Sequence, residues 1–292
     1  MAIFLKKNIV MRKARVSHSE GIVLLCLDIG NTHVLGGVVD NDKIILRFRY
    51  ATPLIGTADQ FGVFLIQILQ TNDIQRKKIN AIAIASVVPS YDYTIRHMIM
   101  RYFAVPCFVL RSGVKTGLNI KYKHPNEVGA DRIANAIGAI TEFPNKNIII
   151  VDMGTATTVC VVTKKRDYIG GAILPGMRLG MEALKTHTEK LMAVDIEIPT
   201  TYIGRTTRSS IQTGLYYGQL GGLREIISEF KQEAFCDETV VVIGTGGFSQ
   251  LFKDKKLFDV ILPDLVLYGL SKAYAYSNAS LNPHPIPCAL LP

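Results

Sequence analysis

Two segments of this 292-residue chain repeat one pattern: a run of strand-forming residues, an Asp-x-Gly turn, then a second run. The first is Leu24 to Val39, LLCLDIGNTHVLGGVV, with Asp28-Ile29-Gly30-Asn31-Thr32 at its turn. The second is Ile148 to Val162, IIIVDMGTATTVCVV, with Asp152-Met153-Gly154-Thr155. A glycine in such a turn lets main-chain N–H groups come close to anionic oxygens. Asn31 and Thr32 add neutral donors, and Asp28, itself an anion, suits a hydrated Mg²⁺ that bridges to phosphate. In the second copy the hydroxyls of Thr155, Thr157 and Thr158 could reach a nucleotide's terminal phosphates, and Asp152 a second cation. One such turn alone reads more readily as a plain hairpin, where Asp, Gly and Asn are common. Thr157 or Thr158 also fits the β-propensity of the strand that follows. Two turns of one pattern favour a phosphate cradle.

A third candidate is Gly129-Ala130-Asp131-Arg132, where a loop gives way to a helix. Asp131 suits an N-cap, or a carboxylate that orients and accepts from an attacking hydroxyl. The two roles coexist only in part, because backbone N–H bonds weaken the base. Phosphoryl transfer has a loose transition state and asks the base mainly to orient, so such a carboxylate suffices. Arg132 can pair its fork with an acidic substrate. Its bland reading is an exposed first-turn residue, where positive charge is mildly unfavourable beside the helix dipole. Gly244-Thr245-Gly246-Gly247 ends a strand and permits a flat group such as adenine to lie against the backbone. His33 follows the first turn and is more economically read as a surface histidine. His97, His124 and His187 have no metal-ligand spacing.

The elements that must hold these residues repeat as well. Ile22 to Tyr50 reads as a three-strand meander with turns at Gly30 and at Asn41-Asp42. A helix follows over Thr57 to Gln70, with Phe61, Phe64, Leu65, Ile68 and Leu69 on one face and Thr57 as N-cap. Then come a strand over Ile79 to Val88, a helix over Tyr91 to Tyr102, a strand over Cys107 to Leu110, a loop over Gly113 to Gly129, and a helix over Ile133 to Thr141. The second half restarts with strands at Asn147 to Asp152, Thr157 to Thr163 and Tyr168 to Ile173. A helix from Pro175-Gly176 through Lys190, a long helix over Ser209 to Phe235, a strand over Thr239 to Ile243 and a helix over Leu265 to Tyr276 complete it. The predicted fold class is α/β: two similar lobes, residues 21–145 and 146–277, with a nucleotide cleft between them. Residues 1–20 read as an extension, and residues 278–292 as a Pro-rich tail, expected to be disordered.

Composition supports a soluble globular protein: 48% hydrophobic residues, 20% charged, and no apolar run of the roughly 18 residues a membrane helix needs. Cys26, Cys107, Cys160, Cys236 and Cys288 are scattered, odd in number and without a CxxC pair, so a reducing cytoplasm is expected. The net charge of +9 invites a nucleic-acid reading, but Lys6, Lys7, Arg12, Lys13 and Arg15 crowd the first twenty residues against Glu20 alone. The rest is dispersed, and basic residues around an anionic substrate account for part of it. Nucleic acid and membrane are therefore not expected partners.

The motifs DIGNTHVLGG, GADRIANAIGA, VDMGTATT, GGAILPGMRLGMEAL, IGRTTRSSIQTGLYYG and GTGG occur in this order. Together they resemble the type III pantothenate kinases, within the superfamily of acetate kinase, sugar kinases, heat-shock chaperones and actin, over about residues 22–276. The resemblance implies an actin-like (ribonuclease H-like) fold and ATP-dependent phosphorylation of pantothenate to 4'-phosphopantothenate, the first step of coenzyme A synthesis. It also implies Mg²⁺ with ATP, a monovalent cation (K⁺ or NH₄⁺), and a homodimer. By the same resemblance, Asp28, Ile29, Gly30, Asn31, Thr32, His33, Val34, Leu35 and Thr155 contact ATP. Tyr122, Gly129, Ala130, Asp131, Arg132 and Thr207 bind pantothenate, Asp131 accepts the proton, and Asp152 holds the monovalent cation. Leu191-Met192 departs from the Leu-Pro that relatives often carry. Two other readings share the doubled turn: a nucleotide-binding transcriptional accessory protein, and a superfamily phosphatase or polyphosphate hydrolase. Gly214, Gly218 and Gly222, at about 1 kcal/mol each in a helix, form a stripe for close helix approach, within the lobe or across a dimer.

Overall fold

The computed structural model describes residues 22–236 and 238–280. Strands β1 (Val23–Ile29), β2 (His33–Asp40) and β3 (Lys43–Ala51) form the first meander, followed by helix α1 (Ala58–Thr71), β4 (Ala81–Ser86), α2 (Asp92–Met98) and β5 (Cys107–Leu110). The two-residue strand β6 (Asn119–Ile120) and α3 (Ala130–Glu142) lead to the second meander, β7 (Asn147–Met153), β8 (Ala156–Val162) and β9 (Asp167–Pro175). Then follow α4 (Met177–His187), α5 (Thr207–Phe235), β10 (Val240–Thr245), β11 (Val260–Ile261) and α6 (Leu265–Ser280).

The sheets are built alike. The first has the order β3-β2-β1-β4-β5, the second β11-β10-β7-β8-β9-β6. In each, the meander is antiparallel and two further strands add parallel to its first: β4 beside β1 and β10 beside β7. Even the irregularity recurs, with a register shift at Val38/Val39 in one lobe and Val161/Val162 in the other. The second sheet adds β6, parallel to β9.

Period-2 alternation decides which way the acidic turn residues face. Leu24 and Cys26 of β1, and Ile148 and Ile150 of β7, enter a central apolar cluster with Ile133, Ala134 and Ile137 of α3 and Leu267 and Leu270 of α6. Leu25, Leu27 and Ile29 face a separate cluster in the first lobe, and Ile149, Val151 and Met153 one in the second. Asp28 is in phase with Leu24 and Cys26, and Asp152 with Ile148 and Ile150. Both carboxylates are therefore aimed at the layer between the sheets.

That layer is the helix pair α3 and α6. They cross with backbones almost touching, since a Cβ on Gly138 would lie 2.8 Å from the Leu265 carbonyl oxygen and one on Gly269 2.9 Å from the Gly138 nitrogen. Arg47 of β3 also pairs with Asp264 just before α6 at 2.8 Å.

Several boundaries differ from the sequence expectation. The helix after Gly176 ends at His187 instead of Lys190, and the helix from Tyr91 widens into a π-helical turn over Ile99–Phe103. The last helix runs on to Ser280, because Asn278-Ala279-Ser280 contain no breaker and the first proline is Pro283. The extension 1–20 and residues 281–292 of the tail lie outside the described residues. Among the described residues, no helix is long and apolar enough to cross a membrane.

Candidate active site

The two Asp-x-Gly turns face each other. In the first, the Gly30 N–H donates to the His33 carbonyl at 3.1 Å; in the second, the Gly154 N–H donates to the Ala156 carbonyl at 3.1 Å. The first turn is braced from behind by buried Thr52, whose hydroxyl donates to the Gly30 carbonyl at 2.7 Å and whose N–H donates to the Thr32 carbonyl at 3.0 Å. Across the gap, the hydroxyls of Thr32 and Thr155 share a hydrogen bond of 2.8 Å. Gly246, at φ 81°, comes so close to the second turn that a Cβ would sit 2.6 Å from the Met153 nitrogen. The strand-terminal Gly-Thr-Gly-Gly is thus packed against Asp152-Met153, and the Phe248 N–H donates to the Met153 carbonyl at 3.2 Å.

Within the first ATP segment the side chains divide. Ile29 and Val34 are buried in the outer core of the first lobe, and Leu35 packs on the central cluster. Only their main chain is left to meet a ligand. Asn31 and His33 are exposed. The His33 imidazole has its pKa lowered, first by burial and then by the Arg49 and Arg178 guanidiniums. Arg49 also reaches from β3 towards the other lobe, its Nη1 lying 3.3 Å from where a Gly247 Cβ would be. Two cations thus flank the turn that sequence reading assigned to phosphate. Neither was singled out, because Arg49 looks like any outward residue of an alternating strand. In the second copy, Thr157 is buried on the outer side of β8 and its hydroxyl has no partner, whereas Thr158 pairs directly with Asp152 across the ladder.

Three carboxylates lie near enough to feel one another's charge, although among the described residues no three acidic, histidine or cysteine side chains are grouped to hold a metal ion. Asp28 Oδ1 is closed off from solvent without a hydrogen-bond partner. Burial, then the neighbouring Asp131 and Asp152, hold its carboxyl well above the usual carboxylate range. Asp152 is pushed up to about 6 by burial and by Asp131, against the pull of a hydrogen bond from Asn135. Asp131 is raised by burial, opposed chiefly by the Arg132 N–H and its charge. Asp131 is not the N-cap: Gly129 holds that position, and Asp131 is the second residue of α3, accepting from the Arg132 N–H at 2.8 Å. Ala130 turns its methyl into the central core.

Arg132 is buried, not on an exposed first turn. Its Nη2 donates to the Glu127 carbonyl at 3.2 Å, and among the described residues no carboxylate forms an ion pair with it. Burial pulls its pKa down, but Tyr168, Cys160, Asp131 and Tyr122 more than offset this, so the guanidinium stays charged. A buried guanidinium that no carboxylate contacts directly gains from a ligand that brings one. Tyr122 stands beside it, packed edge-on to Tyr168 with ring centroids 6.4 Å apart. Thr207 is elsewhere. It is the exposed first residue of α5, capped by Thr206, in an open groove of about 950 Å³ with Gly180, Leu184, Arg205 and Ser210. Sequence reading passed over Asn135, although it follows Asp131 by four residues and so shares its helix face.

Residues 24–229 match the family model of type III pantothenate kinase. The chain belongs to the type III pantothenate kinase family. A Legionella pneumophila (strain Corby) protein named type III pantothenate kinase is 49% identical over 257 residues, covering 88% of this chain and 100% of the relative. Likeness in shape extends more widely. A Campylobacter jejuni protein assigned to the Baf family of transcriptional activators superposes with TM-score 0.55 at 18% identity, over 88% of this chain and all of the other. A Sinorhizobium meliloti protein assigned as a 2-dehydro-3-deoxygalactonokinase gives 0.53 at 12%, over 89% of this chain and 98% of the other. At such identities the family's members and these two share a fold, and nothing about activity follows from the latter pair.

Proposed function

We propose that the chain transfers the γ-phosphoryl group of ATP to the primary hydroxyl of pantothenate, releasing ADP and 4'-phosphopantothenate. The observation that carries this reading is a phosphate cradle shared by both lobes together with a buried Arg132, next to Asp131, whose guanidinium forms no ion pair among the described residues. The cradle suits the donor and the guanidinium suits the carboxylate of the acceptor.

In this reading the main chain of Asp28 to Leu35, with Thr32, His33 and Thr155, holds the ATP phosphates from both sides. Arg132 takes the pantothenate carboxylate bidentately, with Tyr122 and Gly129 along the acceptor. Asp131 orients the attacking hydroxyl and receives its proton. Its raised pKa makes it a better acceptor than an ordinary exposed carboxylate. Asp28, with one buried oxygen unpartnered and the charges of Asp131 and Asp152 acting on it, would hold Mg²⁺ through water with the phosphates. Asp152 fits the monovalent cation, K⁺ or NH₄⁺. These ions supply charge neutralisation for the transferring group, and the protein contributes their position.

Thr207 sits apart from Asp131, and its pantothenate role is met across a homodimer. The glycine stripe supports that arrangement: nothing lies within 4 Å of a Cβ placed on Gly214, Gly218 or Gly221, and only Leu174 at 4.0 Å meets one on Gly222. The stripe is thus not used within the lobe. The ATP requirement and the free thiols of Cys26, Cys160 and Cys236 support a cytoplasmic setting. Mass spectrometry after incubation with Mg·ATP and pantothenate tests the reading. A product heavier than pantothenate by one phosphoryl group, in equal amount to ADP, is expected, and unchanged pantothenate would remove it.

A further inference from the structure

Two arginines on one face of β3 reach across to the second half of the chain, and they end differently. Arg47 pairs with Asp264 at 2.8 Å, an ordinary ion-pair bridge. Arg49 is two residues on, and so on the same side of the strand. It meets no acid: its Nη1, Nη2 and Cζ lie 3.3, 3.6 and 3.9 Å from where a Gly247 Cβ would be. Among the described residues it forms no ion pair. The strand register says what that side of the sheet carries. Arg49 lies opposite Leu35, and Leu35 opposite Asp28. Residues directly opposite in a ladder share a face, so Asp28, Leu35 and Arg49 form one row on the cleft side of the first sheet. At the usual strand spacing the Arg49 backbone is about 10 Å from that of Asp28. A second cation comes from the other lobe. Arg178, the second residue of α4, acts together with Arg49 on the His33 imidazole and likewise forms no ion pair among the described residues. Like charges gathered at one turn without acidic partners favour a bound anion.

We propose that Arg49 is a nucleotide-binding residue outside the Asp28 to Leu35 segment, its guanidinium gripping the α- and β-phosphates between the two Asp-x-Gly turns and the Gly-Thr-Gly-Gly turn. The proposal rests on the reading of the cleft as an ATP site. Position selects the phosphates. The γ-phosphate belongs at the Thr32–Thr155 pair and the nucleoside at Gly246-Gly247, so a cation reaching from the row of Asp28 to Gly247 meets what joins them. A planar fork suits two phosphate oxygens at once. Because ADP keeps both of these phosphates, Arg49 holds donor and product alike and separates nucleoside polyphosphates from nucleosides. Arg47, of the same length, charge and strand face, is the internal contrast: its charge is already spent on Asp264.

The test reads binding and not turnover. Calorimetric titration of the full chain with Mg·ATP, Mg·ADP and adenosine compares wild type with Arg49→Gln and Arg47→Gln. Arg49→Gln should weaken ATP and ADP by about tenfold each, as for a lost hydrogen bond to a charged group, and leave adenosine as it was. Arg47→Gln should leave all three unchanged. Unaltered ATP and ADP affinities in Arg49→Gln would overturn the proposal alone. So would an equal loss for adenosine, which would make Arg49 a prop for the Gly247 turn, or a loss confined to ATP, which would move it to the γ-phosphate. If wild type binds neither ATP nor ADP, the reading of the cleft falls, and this proposal with it. Arg49 is exposed, so Arg49→Gln should unfold in urea as wild type does. Should it be less stable, Arg49→Lys decides: ADP affinity between those of wild type and Arg49→Gln is expected, and full wild-type affinity is the contrary result.

Discussion

The hydroxyls of Thr32 and Thr155, 123 residues apart in the chain, lie 2.8 Å from each other at the tips of the two repeated turns. One hydrogen bond therefore closes the cradle from both lobes, and a γ-phosphate held there must exchange it for contacts of its own. Replacing Thr155 by Val removes a hydroxyl without changing shape. We expect the KM for ATP to rise by about tenfold, for a lost hydrogen bond to a charged group worth about 1.5 kcal/mol. Stability should change little, because the pair is near the surface. Initial-rate kinetics with ATP varied will check this.

Asp131→Asn keeps size and the first-turn contact but cannot accept a proton. Turnover should fall by about 10²–10⁴-fold, with circular dichroism and Mg·ATP binding unchanged. Near-normal turnover would remove Asp131 from the chemistry.

Arg132→Lys keeps the charge and loses the fork. The KM for pantothenate should rise at least tenfold, about 1.4 kcal/mol or more, while that for ATP stays as it was. Equal effects on both substrates would argue that Arg132 supports the fold and not the acceptor.

Much of this was legible from the chain. The strand order of each lobe follows from the repeated meander and the helices after it, and the inward aim of Asp28 and Asp152 from their phase with Cys26 and Ile150. Arg132 declared itself only weakly, through a charge in the wrong turn for the helix dipole. Other features left no local mark. β6 and β11 are two residues long and carry no period. Gly138 and Gly269 look like ordinary helix glycines until the two helices are seen to cross on them. The three glycines of α5 drew notice by their spacing, yet they face open space in the single chain. Asn135 shares a helix face with Asp131, but its tie to Asp152 is a tertiary fact.

That crossing carries its own expectation. A Cβ on Gly269 would collide with the Ala134 carbonyl, so Gly269→Ala must push α6 from α3. It should cost about 1–3 kcal/mol of stability as overpacking does, measured by urea unfolding.

The pH dependence follows from Asp152. Its carboxyl is raised to about 6 in the folded chain against about 3.9 unfolded, so folding favours the protonated form. That contribution is complete below about pH 4 and is lost as pH rises through 6. Without K⁺, Asp152→Asn should therefore be more stable than wild type at pH 8, and the difference should vanish towards pH 4. Urea titrations at the two pH values measure it; a gap that widens on acidification has the wrong sign.

If Arg132 and Asp131 hold the acceptor, phosphoryl transfer depends on its presence. A coupled assay of ADP release, with Mg·ATP and K⁺ and with or without pantothenate, tests it most directly. Release that depends on pantothenate and ceases when it is consumed is expected. Steady ADP and phosphate release without pantothenate would contradict it and make the protein a hydrolase.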